Sequence, residues 1–127
     1  MRTLMLVLIG IVLLPAAIGD PQPKLPTLSI DTVTIREVRR GSELRTVSEL
    51  GNSRDTLLVE RPVGAREGTT AGVFVLDKER ALLRRVAVEY GRATPSLIQI
   101  VSGVSGGDRL VVSDMRAWDQ FDRLRLR

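Results

Sequence analysis

The chemistry-bearing side chains crowd the C-terminal end of the chain. Asp114, Asp119 and Asp122 form a small acidic group, and Arg123, Arg125 and Arg127 follow at alternate positions. Carboxylates bind hard cations such as Ca2+, but a closed site takes about six to eight oxygens, and this spacing matches no calcium loop. Turn capping and local pairing with Arg116 and Arg123 are the simpler role for these aspartates. On a strand, the three arginines would share one face. That face is either a solvated surface that blunts a sheet edge or one that meets anionic headgroups or an acidic partner. Trp118, the one tryptophan, lies among them. It either pins the last loop onto the core or serves as an exposed anchor for a partner.

Catalytic chemistry is poorly supplied. The chain has no His and no Cys, so the usual triads and thiol sites cannot be assembled, and disulfides and thiolate metal sites are excluded. A serine with a lysine base would need Lys24, in a proline-rich stretch, or Lys78, in a charged turn beside Asp77 and Glu79. Neither context desolvates an amine enough to lower its pKa. The run Ser102-Gly103-Val104-Ser105-Gly106-Gly107-Asp108 lacks the Lys-Ser/Thr ending of a phosphate loop, and a strand pattern follows it instead of a helix. Gly103, Gly106, Gly107 and Asp108 are therefore expected to build a strand-to-strand turn, with glycine supplying positive φ. No enzyme, metal site or cofactor is expected.

The elements that must hold these residues are strands. Over its 127 residues the chain is 43% hydrophobic but only 3% aromatic, so a single modest core must be built mainly from Val, Leu and Ile. Val86, Val88 and Tyr90 alternate with Arg85, Ala87 and Glu89, and Leu124 and Leu126 alternate with the arginines; each pattern predicts a strand with one buried face. Gly72 to Asp77, Leu97 to Val101 and Asp108 to Ser113 are short apolar runs, as in strands covered more completely. The apolar parity switches between Leu28/Ile30 and Val33/Ile35, which predicts a bulge or break near Asp31-Thr32. The expected fold is all-β: a small barrel or roll of about six to eight short strands, preceded by an N-terminal hydrophobic helix.

Arg2 and the apolar run from Leu4 to Leu14 have the layout of a signal peptide, with Ala17 and Gly19 at the spacing for cleavage before Asp20. The competing reading is a retained anchor, although Leu4 to Ile18 falls short of the roughly 20 residues that span a bilayer. Either way the body is expected to be exported. Residues 20–27, with Pro21, Pro23 and Pro26, read as an extended linker, and residues 28–127 as one β domain. Net charge is +4, and all but Lys24 and Lys78 of the 19 basic residues are Arg. This balance suits nucleic acid, anionic headgroups or an acidic protein and does not choose among them.

A family resemblance does choose. Ser113 to Leu126 resembles the C-terminal signature of periplasmic adaptors, the hemolysin D-type membrane-fusion proteins of tripartite efflux pumps. The resemblance continues through Leu57-Leu58-Val59-Glu60-Arg61-Pro62, Thr70 to Leu76, Val86 to Arg92 and Ile100 to Arg109, and more weakly through Ile30 to Val33 and Val38 to Gly41, running on to Leu50-Gly51. Between Gly51 and Leu57 there is no room for the family's β-barrel, lipoyl-like and α-hairpin domains, so the chain looks like an adaptor reduced to its membrane-proximal domain. In the family that domain is built from strands of both chain ends, and residues 52–56, including the turn-forming Asn52-Ser53-Arg54-Asp55, would be the junction replacing the centre. The resemblance implies a non-enzymatic efflux component that binds an inner-membrane permease of the ABC or RND type, or a full-length adaptor, in the periplasm. Arg123, Arg125, Arg127 and Trp118 would be the contact with permease or membrane. The rivals are a non-functional or regulatory fragment, and a basic β-barrel that binds nucleic acid by stacking on Phe74, Tyr90, Trp118 or Phe121.

Overall fold

A computed structural model describes residues 25–45, 51 and 55–127. Segments rich in Val, Leu and Ile, bounded by glycine, proline and charged turns, form nine strands there. They are β1 (Thr27–Leu28), β2 (Ile35–Glu37), β3 (Arg39–Gly41), β4 (Thr56–Glu60), β5 (Thr70–Asp77), β6 (Leu82–Ala93), β7 (Leu97–Ser102), β8 (Arg109–Val111) and β9 (Arg123–Leu126). The all-β fold is thus the one the chain adopts. The expected N-terminal helix, the cleavage site at Ala17 and Gly19, Lys24, and residues 52–54 of the junction lie outside the described residues.

Hydrogen-bonded neighbours follow the path β2-β8-β5-β6-β7-β4-β3, while β9 lies between β1 and β6. Only Val38 separates β2 from β3, so this path starts and ends on one stretch of chain and the sheet nearly closes into a barrel. Val38 seals the closure. Its N–H donates to the Asp108 carbonyl at 2.8 Å, its carbonyl accepts from Gly107 N–H at 2.8 Å, and its side chain is fully buried. Closure of this kind pairs edge groups that would otherwise template association.

The two ends of the chain are interleaved. β1 pairs with β9 in parallel, β2 pairs with β8, and β3 pairs with β4 so that Gly41 lies opposite Thr56. The parity switch near Asp31-Thr32 is a break between strands, formed by a 3-10 turn at Ile30–Thr32. β1 begins at Thr27, the last residue of the expected linker.

Alternation sorts the side chains into two apolar layers. Val38, Val59, Val73, Val75, Val88, Tyr90, Ile98, Ile100, Leu110 and Val112 fill the barrel. Leu28, Phe74, Leu83, Val111, Leu124 and Leu126 form a second layer outside it, with Met115, Trp118 and Phe121 packed against them. β5 and β8 are covered on both faces because they carry residues of both layers. β7 differs from expectation: Ile98 and Ile100 are buried, but Val101 is 54% exposed, so this run has one covered face.

The Gly103 turn is built as its residue types require. Gly103 and Gly107 have φ of 110° and 94°, and a Cβ on Gly103 would lie 2.3 Å from the Ala87 carbonyl oxygen. Asp108 accepts from the Ser105 N–H at 2.8 Å through its carboxylate. Gly106 does not have positive φ, and a Cβ there would make only ordinary contacts, with Leu57 at 3.5 Å and Arg40 at 3.9 Å.

Candidate functional site

β9 carries the arginine stripe because period two places Arg123 and Arg125 opposite Leu124 and Leu126. The leucines are buried in the outer layer, and Arg123, Arg125 and Arg127 are exposed. The register with β6 adds a residue that sequence reasoning missed: Arg84 lies directly across from Arg123, and Leu82 across from Arg125. Arg84 is exposed and Leu82 half-buried. On the other side of β9, Thr27 lies across from Arg125. The result is a basic face of Arg84, Arg123, Arg125 and Arg127, none of which forms an ion pair among the described residues. The Arg84 signal was the dyad Arg84-Arg85, but only the strand register decides which of the two faces this way.

Trp118, named with these arginines as a possible contact, packs against the outer apolar layer. It sits half-buried on the leucine side of β9, with its ring 6.1 Å from that of Phe121. The anchor of its loop is Arg85, a second residue not singled out from sequence. The Arg85 Nε donates to the Phe121 carbonyl at 3.1 Å, and Nη2 donates to the carbonyls of Trp118 at 3.1 Å and Asp119 at 2.6 Å. Its backbone N–H donates to the Asp122 carbonyl at 2.8 Å, and its guanidinium lies 4.8 Å from the centre of the Phe74 ring. One cation thus binds three carbonyls of the loop beside an apolar layer, the Trp118 carbonyl accepting also from the Phe121 N–H at 3.1 Å.

The aspartates are dispersed. Asp114 grips Arg116, with contacts of 2.9 Å to Nε and 2.6 Å to Nη2. Hydrogen bonds from Arg116 hold its carboxyl down to about pKa 2, and the same pairing raises Arg116. Asp119 Oδ1 is 3.9 Å from Arg85, and Asp122 contributes its backbone carbonyl. A cleft of about 500 Å³ between Val63, Gly64, Gly72, Arg85, Arg116 and Asp119 holds two guanidinium groups, but both are already engaged by the contacts above. Among the described residues no cluster of three or more metal-ligating side chains forms. Lys78 is exposed in the β5–β6 turn.

The aromatic residues suit packing. Phe74 and Tyr90 are 2% and 3% exposed, and burial raises the Tyr90 hydroxyl to about pKa 12. They offer no face on which a base can stack, which removes half of the aromatic set that a nucleic-acid reading needs.

Fold and site together describe a nearly closed β barrel with an outer apolar layer and an exposed arginine face. No family model matches the chain, and neither a curated protein nor a solved structure is similar to it at a significant level. No helix among the described residues is long and apolar enough to cross a membrane.

Proposed function

We propose that this chain is a non-enzymatic, exported module of a transport system, equivalent to the membrane-proximal domain of an efflux adaptor, and that it docks on an inner-membrane permease. One observation carries the reading. The connection where an adaptor's central domains would be inserted joins β3 to β4, whose ends Gly41 and Thr56 are paired neighbours. Segments can be added or removed at such a point without disturbing the ladder on either side. The interleaving of N-terminal and C-terminal strands in one barrel supports the same reading, because a discontinuous domain must be built this way. Without a hairpin domain the module would act at the permease and not bridge the periplasm.

The test places a photoreactive amino acid at exposed Gln120, in the loop held by Arg85, and cross-links in native membranes. Capture of an inner-membrane transport permease supports the proposal. Recovery of uncross-linked chain alone, with expression verified, sinks it in favour of a stranded adaptor fragment.

A further inference from the structure

We infer that the face formed by Arg84, Arg123, Arg125 and Arg127 is a docking surface for an anionic phospholipid bilayer. The first argument is electrostatic. Like charges directly opposite each other on paired strands destabilise a sheet, and Arg84 and Arg123 occupy such a position. No carboxylate among the described residues forms an ion pair with either of them. An external anionic surface supplies the missing counter-charge.

The second argument is composition. Specific protein interfaces centre on buried apolar anchors. Here Leu82, itself half-buried, is the apolar neighbour across from Arg125, whereas Trp118 and Phe121 are turned to the opposite side of β9. Basic at Arg84, Arg123, Arg125 and Arg127 and with its apolar neighbour Leu82 half-buried, the face fits an array of anionic headgroups better than an acidic protein.

The third argument is position. The chain enters the described structure at Leu25, and the Pro26 carbonyl accepts from the Arg125 N–H at 2.8 Å. The start of β1 is therefore also the margin of the arginine face. Were the apolar run at residues 4–18 kept as an anchor, this margin would be the part of the barrel nearest to it in sequence. The inference needs no permease, so it stands or falls separately from the transport reading.

The experiment uses the protein as purified from its native compartment, with the N-terminus it carries there. Because the chain has no cysteine, Thr27→Cys, across from Arg125, and Val101→Cys, exposed on β7, each give a single fluorophore site. Vesicles of phosphatidylcholine with about 30 mol% phosphatidylglycerol, an order-of-magnitude match to an anionic leaflet, carry a headgroup spin label as quencher. The expected result is quenching at Thr27→Cys but not at Val101→Cys, and its loss in pure phosphatidylcholine or at high salt. Each arginine changed to glutamine should weaken the effect on the order of five-fold.

The variant with all four arginines changed to lysine decides between a bilayer and a protein. A bilayer reads charge and retains it, whereas bidentate recognition by an acidic protein does not accept lysine. Equal quenching at both sites, quenching that survives the four glutamines with a native melting profile, or loss of binding in the lysine variant would each overturn the inference.

Discussion

The barrel interior and the outer layer are built from similar aliphatic side chains yet held by different means. Inside the barrel, Val, Leu and Ile from successive strands interdigitate, and the ladders around them satisfy the backbone. The outer layer rests on a two-residue strand, a four-residue strand and a loop with one 3-10 turn. Little regular structure is present there, and Arg85 of β6 binds the loop carbonyls of Trp118, Asp119 and Phe121. Periodic backbone pairing distributes stability over many weak contacts; a single cationic clasp concentrates it in one side chain. Local opening should therefore begin in the outer layer and reach the barrel only on global unfolding.

The largest expected effect lies in the barrel. Ile98→Ala removes a fully buried side chain at its centre and should cost about 2–5 kcal/mol. A urea titration should show a lower midpoint with every probe moving together; separate transitions would break the contrast between the regions. Next comes Arg85→Met, which keeps the apolar stem and removes the clasp, at about 2 kcal/mol. Hydrogen exchange should accelerate at the Phe121 and Arg125 amides and stay slow in β7. Uniform acceleration would mean that the two layers form one cooperative unit.

Much of the barrel is legible in the sequence. Val86, Val88 and Tyr90, and Leu124 and Leu126, announce their strands by alternation, and the glycines after Ser102 announce their turn. The outer layer is not. The β1–β9 pairing joins positions 27 and 125, far apart in the chain, through two-residue contacts, too short for any periodic signal. Arg85 reads as an ordinary polar neighbour of Val86 until Phe74 is known to lie across from it. Likewise the arginine stripe of β9 is visible, but Arg84 enters it only through register, and Trp118 leaves it only because the leucine face turns the other way.

Smaller effects refine the boundary between the layers. Ala81, in the β5–β6 turn, has φ of 51°, and its carbonyl accepts from the Leu126 N–H at 2.8 Å. Ala81→Gly should relieve this strain and stabilise by about 1 kcal/mol, read as a raised melting temperature. An unchanged or lowered value would mean that the left-handed alanine is not strained.

The smallest effect is on acid titration. Because the Asp114 carboxyl is depressed from 3.8 to about 2 in the folded chain, its contribution is full above pH 3.8 and is lost as pH falls through 2. Trp118 fluorescence should hold steady from about pH 7 to 4 and change below that, and Asp114→Asn should abolish the change in that window. A transition centred well above this range would assign acid sensitivity to another group.

The paired ends of β3 and β4 also set how the barrel would respond to a mechanical pull. Load applied through an inserted rod would draw Gly41 and Thr56 apart from the same end of an antiparallel ladder, so its hydrogen bonds would break singly, in succession. Tension arriving through Leu25 instead runs along β1, parallel to β9, and must shear that pair together. The domain would thus yield softly toward anything inserted at its junction while gripping more stiffly on the side that leads to the N-terminus.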